Sequence, residues 1–127
     1  QGVFSIPKGK YEGEYTFASR FEDENKTNPE ELVGAALASC FSMFLSALVS
    51  KENFTPTYIN TNAEVTLEST DNGPKITQIE LKTEADIPSL NEEDFQNYVT
   101  KAKENCPISK LYQGTTITVN ATLLTTA

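Results

Sequence analysis

The feature that most constrains this chain is an uncharged run of 19 residues, Leu32 to Ser50. It follows the tetrapeptide NPEE at positions 28–31, which is a strong helix start signal. Asparagine caps a helix, proline fits the first helical position, and carboxylates favour the positive end of the helix dipole. The pattern therefore predicts one long apolar helix from Asn28 to Lys51, with Cys40 near its middle.

The run is also long enough to cross a membrane, for which about 20 apolar residues suffice. Its composition argues against this, because it holds four serines and a glycine and its N-terminal flank is acidic. The net charge of −8 disfavours nucleic acids and anionic membranes as partners. We therefore expect a buried core helix, with no nucleic-acid and no membrane partner.

Strand patterns lie on both sides of this helix. Before it, two short strands are predicted, at Val3 to Ile6 and at Tyr11 to Phe21. After it, alternating apolar side chains and turn residues predict a long hairpin, then a second helix, a short helical turn and a last strand. These elements cover residues 57–69 and 76–86 (hairpin), 91–105 (helix), 108–112 (turn) and 115–124 (strand).

Together these elements predict a single α+β domain over residues 1–127, with antiparallel sheets packed on a long buried central helix. One small sheet cannot cover an apolar helix on all sides, so either the sheet wraps around it or a second subunit covers it. We favour the second subunit. The start at Gln1 leaves open a truncated N-terminal strand region, and the absence of a signal-peptide pattern makes the cytoplasm the expected compartment.

The rare residue types narrow the chemistry. The chain has no histidine, which removes Ser-His and Cys-His catalysis and disfavours a transition-metal site. Its two cysteines, Cys40 and Cys106, are 66 residues apart and form neither a CxxC redox pair nor a zinc knuckle. A free cysteine in an apolar helix is often inert core, and that alternative stays open for Cys40. Cys106 stands at a helix end beside Pro107, where we expect an exposed corner.

Two charged residues are candidates for a site, although each has a simpler explanation. Arg20 is the only arginine against nine lysines, and it could be no more than one half of a surface ion pair. Glu30 could be an ordinary first-turn carboxylate of the helix.

Two sequence blocks carry a resemblance to a known family. SRFEDENKTNPEELVGAALASCFSM (19–43), followed by KAKENCPISK (101–110), resembles the OsmC/Ohr family of osmotically inducible protein C and organic hydroperoxide resistance proteins, and is closer to the OsmC branch. The resemblance extends from about Phe17 to the end of the chain. It implies an OsmC-like fold, an intertwined homodimer with active sites at the subunit interface, and a cysteine-based peroxidase of the oxidative stress response.

The family's functional residues fall one by one on this sequence. Its peroxidatic cysteine falls on Cys40, its resolving cysteine on Cys106, its active-site arginine on Arg20 and its glutamate on Glu30. The resemblance implies reduction of organic hydroperoxides, and less efficiently of hydrogen peroxide, through a sulfenic acid and a Cys40–Cys106 disulfide. It implies no cofactor and no metal, and an external dithiol reductant, with lipoyl-type dithiols as the suspected class.

The residue chemistry agrees with these roles. The thiolate is the reactive form of cysteine, and Arg20 is the one guanidinium that could hold it and hydrogen-bond a peroxide. We expect an apolar substrate pocket suited to an organic hydroperoxide. Its expected lining is Leu37, Phe41, Met43 and Phe44.

The spacing of Glu30 and Cys40 adds a geometric constraint. Ten residues of helix separate them by about 15 Å along the axis and leave them on different sides. If an Arg20–Glu30 pair serves the thiolate, it therefore comes from a partner subunit. Two alternatives remain, a non-enzymatic dimer that binds a hydrophobic small molecule and a purely structural dimer. Cys106 discriminates, since a binding protein has no use for a second thiol near the first.

Overall fold

The computed structural model describes residues 2–6, 11–15 and 28–124. These residues form a mixed α+β structure, as predicted, with a two-stranded sheet and a three-stranded sheet, in each of which the strands lie side by side in chain order. The predicted strand Tyr11–Phe21 is confirmed as far as Tyr15, and its remainder lies outside the described residues. In chain order the elements are β1 (Gly2–Ile6), β2 (Tyr11–Tyr15), α1 (Pro29–Lys51), β3 (Tyr58–Thr70), β4 (Gly73–Asp86), α2 (Glu92–Asn105), α3 (Pro107–Leu111) and β5 (Thr116–Leu124).

The central helix α1 begins as its sequence predicts. The Glu31 backbone N–H donates to Asn28 Oδ1 at 2.8 Å, which satisfies one of the free amides of the first turn. Its length of 23 residues corresponds to about 34 Å. By length and composition it could span a membrane, but about a third of its apolar stretch is buried inside the described structure.

The burial of α1 is confined to one face. Its buried residues recur every three or four positions, which is the spacing of a single helical face. They are Gly34, Leu37, Ala38, Phe41, Leu45 and Val49. Burial on all sides is therefore not seen in the single chain, because the opposite face has no covering element among the described residues.

Strand β3 packs closely against α1. A Cβ atom added at Gly34 would stand 2.9 Å from Val65 Cγ2 and 3.0 Å from Ala63 Cβ, so only glycine allows this approach. Two residues after Cys40, the Ser42 hydroxyl donates to Thr61 Oγ1 at 2.7 Å. The helix is thus held against the sheet both by apolar contact and by a hydroxyl bond.

The sheet departs from the expected all-antiparallel arrangement. Strands β3 and β4 form the predicted antiparallel hairpin, with Gly73 at φ +104° in its turn. Strand β5, however, pairs with β4 in parallel, so the antiparallel prediction is wrong for this strand. The physical reason is the connection, because α2 and α3 carry the chain back across the sheet before β5 begins.

Helix α2, which belongs to the connection between β4 and β5, packs on the core. Its Asp94 N–H donates to Asn91 Oδ1 at 2.8 Å, which confirms the predicted cap. Phe95, Val99 and Ala102 form its buried stripe and join the core of α1 and β4. The helix ends at Asn105, directly before the second cysteine.

Candidate active site

Cys106 links α2 to α3. Its N–H donates to the Ala102 carbonyl at 3.1 Å, and its own carbonyl accepts from the Lys110 N–H at 3.1 Å. Its backbone is extended, at φ −64° and ψ 123°, as expected for a residue that precedes a proline. The residue is therefore held by hydrogen bonds from two helices.

The side chain of Cys106 is fully buried, with 0% exposure. The expected exposed corner is therefore wrong. The local sequence around Cys106 is polar, but the residue packs into the core cluster that α1 and α2 share. Cys40, by contrast, is only partly buried and packs at the edge of that cluster.

The two thiols lie close together in the structure. Cys40 and Ile108 pack against the core cluster that contains Cys106, and Cys106 lies close enough to Cys40 to raise the pKa of its thiol, whereas the Ile108 backbone lowers it. Both cysteines are reduced. Helix α1 brings Cys40 to this point and the α2–α3 junction brings Cys106, so a pair separated by 66 residues becomes adjacent.

The electrostatics of the pair favour the neutral thiol of Cys40. Burial raises the pKa of Cys40 above its ordinary value, the neighbouring Cys106 raises it further, and the Ile108 N–H acts in the opposite direction. Because the thiolate is the nucleophile, chemistry at Cys40 calls for an additional positive group or hydrogen-bond donor.

Tyr112 links the end of α3 to α1 near the two cysteines. It follows α3 directly, and its hydroxyl donates to the Val33 carbonyl of α1 at 3.2 Å. Burial, and then the charge of Cys106, raise the pKa of Tyr112, so its hydroxyl stays protonated. Sequence inspection did not single out Tyr112 or the Ile108 amide, since nothing local marks a tyrosine or a backbone donor as part of a thiol site.

Of the other two residues with implied catalytic roles, the structure describes only Glu30. Arg20 lies outside the described residues. Glu30 sits in the first turn of α1, partly buried, ten residues before Cys40. About 15 Å of helix axis separates the two, so within one chain the structure joins Cys40 to Cys106 but does not join either to Glu30.

The four residues expected to line a substrate pocket divide into two groups. Leu37 and Phe41 have 0% exposure and belong to the core. Phe44 is partly buried and Met43 is 71% exposed. Met43 lies in an open groove of about 520 Å³ between α1 and the start of β3. Among the described residues, no group of three or more histidine, cysteine or acidic side chains could hold a metal ion.

Comparison with known proteins supplies the family. A family model described as OsmC-like protein matches residues 22–121. Peroxiredoxin OsmC of Escherichia coli K12 is 48% identical over 97 residues, which cover 76% of this chain and 68% of the relative. Organic hydroperoxide resistance protein-like 2 of Staphylococcus epidermidis is 33% identical over 94 residues, covering 71% of this chain and 63% of the relative.

The fold agrees with a solved structure of the same group. The crystal structure of the organic hydroperoxide resistance protein OhrB of Bacillus subtilis superposes with a TM-score of 0.73 at 26% identity, covering 97% of this chain and 90% of that one. The family model spans most of the chain, and the residues it matches include both cysteines of the site. The chain therefore belongs to the OsmC-like protein family.

Proposed function

We propose that this protein is a thiol-dependent peroxidase that reduces organic hydroperoxides, and hydrogen peroxide less efficiently. The observation that carries the proposal is the proximity of Cys40 and Cys106, which pack together at the junction of α2 and α3 with α1 although 66 residues separate them. The names of two relatives, a peroxiredoxin and an organic hydroperoxide resistance protein, support the same activity.

In the first step the Cys40 thiolate attacks one peroxide oxygen. A sulfur–oxygen bond forms as the oxygen–oxygen bond breaks, and the alkoxide leaves as an alcohol after taking up a proton. Sulfur loses two electrons and the peroxide gains them, which leaves a sulfenic acid at Cys40. The partly exposed position of Cys40 suits this role, because the attacking sulfur has to reach a substrate from outside the core.

In the second step the Cys106 thiolate attacks the Cys40 sulfur. The disulfide forms as the sulfur–oxygen bond breaks, and the oxygen leaves as water after protonation. Cys106 is suited to resolve the sulfenic acid because it is buried and close to Cys40, so it is shielded from peroxide itself. An external dithiol, of the lipoyl type, then reduces the disulfide by exchange, and no bound cofactor is needed.

A positive group at Cys40 completes the mechanism. Burial and Cys106 raise the pKa of Cys40, and a guanidinium would offset both effects and hydrogen-bond the peroxide oxygens. We assign this role to Arg20, with Glu30 fixing the orientation of its side chain. Since Glu30 is about 15 Å along the helix axis from Cys40 of its own chain, the Arg20–Glu30 pair belongs to the partner subunit of a homodimer.

The uncovered side of α1 supports this dimer. Ala35, Ser39, Met43 and Ala47 are exposed at intervals of four residues, so small side chains and one methionine form a continuous stripe. Met43, at 71% exposure, lies where a second copy would complete the apolar pocket together with Phe44. Leu37 and Phe41, which have 0% exposure, pack in the core on the opposite side of the helix. The cytoplasm, with its reducing dithiols, is the proposed compartment.

A stoichiometric thiol count tests the activity. Reduced protein is mixed with one equivalent of cumene hydroperoxide, and free thiols and alcohol are measured together. Loss of both thiols to an intramolecular disulfide, with one alcohol per disulfide, supports the peroxidase. Unchanged thiols, or slow and independent loss at each cysteine, would overturn the mechanism. Cys40→Ser is expected to consume no peroxide.

A further inference from the structure

Helix α3 is attached to α1 at two places on one helical face. At one end, Cys106 and Ile108 pack with Cys40 in the core cluster. At the other, the Tyr112 hydroxyl bonds the Val33 carbonyl at 3.2 Å. Val33 precedes Cys40 by seven residues, which places the two about 10 Å apart along the axis and about 20° apart around it.

The segment between these contacts is short and stiff. Helix α3 has five residues, and the Tyr112 N–H continues its hydrogen bonding to the Ile108 carbonyl at 3.0 Å. From Cys106 to Tyr112 the chain therefore runs back along α1, from Cys40 towards the helix N-terminus. A restraint applied at Tyr112 is transmitted through one helical turn to the Cys106 thiol and the Ile108 amide.

We propose that Tyr112 is a positioning residue that holds Cys106 against Cys40 in the reduced protein through its hydrogen bond to the Val33 carbonyl. In this role Tyr112 acts on Cys106 through α3. The inference deepens the proposed function, since it assigns a residue to the disulfide-forming step. The proximity of the two thiols and the Val33 bond, from which it is argued, do not depend on what oxidises Cys40.

The restraint matters most before the disulfide exists. In the oxidised protein the sulfur–sulfur bond itself holds α3 to α1, whereas in the reduced protein noncovalent contacts have to do so. Loss of the Tyr112 hydroxyl therefore loosens the reduced form more than the oxidised form, which lowers the effective concentration of one thiol at the other. A single, partly buried hydrogen bond of ordinary strength predicts a decrease of about three- to tenfold.

A glutathione redox titration measures this effective concentration directly. The wild type, Tyr112→Phe and the control Tyr98→Phe are equilibrated with mixtures of reduced and oxidised glutathione, quenched, and scored for the Cys40–Cys106 disulfide. Tyr98 is a partly buried tyrosine of α2, and its substitution removes the same hydroxyl elsewhere in the core. We expect about a three- to tenfold lower effective concentration in Tyr112→Phe and no change in Tyr98→Phe.

A purely structural role is distinguished in the same experiment. If Tyr112→Phe lowers the melting temperature but leaves the glutathione equilibrium as in wild type, the positioning role is overturned. Excess cumene hydroperoxide gives the kinetic counterpart, in which Tyr112→Phe should accumulate more Cys40 sulfinic acid per turnover with an unchanged first oxidation step. The glutathione titration requires no peroxidase activity, so it still tests Tyr112 if the proposed function fails.

Discussion

Cys40 packs against the cluster that contains Cys106, although the first residue is partly exposed and the second has 0% exposure. This asymmetry agrees with the two roles proposed above. The accessible sulfur can meet a substrate, while the enclosed sulfur can meet only its neighbour. In the proposed mechanism oxidation therefore enters at Cys40 and is passed to Cys106.

Removal of the Cys106 thiol should separate the oxidation of Cys40 from the formation of the disulfide. In Cys106→Ser the first oxidation of Cys40 proceeds, but no disulfide can form, so turnover should stop after about one equivalent of peroxide. Mass spectrometry should then show a sulfenic acid that converts to sulfinic acid as more peroxide is added. Cys40→Ser is the control, and it should show no oxidation at Cys106. Sustained turnover of Cys106→Ser with an external thiol absent would contradict the resolving role.

The ionisation of Cys40 predicts a dependence on pH. Burial and Cys106 raise the pKa of Cys40, so without a compensating cation its thiolate appears only above the pH at which a free cysteine ionises. We expect this behaviour in Arg20→Ala, with a lower inflection in wild type if Arg20 supplies the compensation. The measurement is the rate of iodoacetamide labelling at Cys40 against pH, resolved by peptide mass.

The same shift has a consequence for stability. A thiol whose pKa is raised in the folded state favours the protonated form, so its stabilising contribution is complete below the ordinary cysteine pKa and is lost as pH rises through the raised value. Arg20→Ala should therefore lose more stability than wild type on going to alkaline pH, measured by urea unfolding. If wild type and Arg20→Ala gave the same dependence of iodoacetamide labelling on pH, Arg20 would have no effect on the pKa of Cys40.

Replacement of Arg20 by lysine should slow the oxidation of Cys40 even though the positive charge is kept. Lysine cannot reproduce the planar, two-pronged donor geometry of a guanidinium, so Arg20→Lys should lower the rate of Cys40 oxidation on the order of 100-fold. Stopped-flow mixing with cumene hydroperoxide measures this step alone. Lys26→Arg, in the same segment of sequence, is a matched control and should leave the rate unchanged. A near-normal rate in Arg20→Lys would exclude the proposed role.

The approach of α1 to β3 predicts a steric effect at Gly34. An added Cβ atom would lie 2.9 Å from Val65 Cγ2, and the short branched valine side chain has little freedom to withdraw. Although alanine favours a helix, we expect Gly34→Ala to lose about 1–3 kcal/mol of unfolding free energy through overpacking. Urea titration at fixed protein concentration provides the measurement.

Two variants make this prediction specific. Gly114→Ala places the same methyl group where no heavy atom lies within 4 Å, so its stability should be close to wild type. Val65→Ala in the Gly34→Ala background should recover part of the loss, because it removes the nearest contact. Equal stability of Gly34→Ala and Gly114→Ala would mean that the helix and strand separate at little cost.

Local patterns were sufficient to predict most elements of this fold. The caps at Asn28 and Asn91 and the alternating side chains of β3 and β5 each depend on neighbours in sequence, so they are visible before folding. The direction of β5 is different. Alternation shows that a strand has one buried face, but it is the same for a parallel and an antiparallel partner.

The sequence drew attention to the two cysteines that the structure brings together, but it did not show their surroundings. The resemblance identified Cys40 and Cys106, whereas the burial of Cys106 depends on α1, which is distant in sequence. The polar residues Lys103, Glu104 and Asn105 suggested an exposed helix end, and two of them, Glu104 and Asn105, are indeed exposed. Tyr112 could not be recognised for the same reason, since its partner Val33 is 79 residues away.

The proposed sharing of sites between subunits has a direct test. A heterodimer is prepared from one Cys40→Ser subunit and one Glu30→Gln subunit carrying different affinity tags. If Glu30 serves the partner's Cys40, one of the two sites then contains both native residues, and the heterodimer should show about half of the wild-type activity. The two parent homodimers should each be strongly impaired. If Glu30 instead served Cys40 of its own chain, neither site would be complete and the heterodimer would be as impaired as its parents.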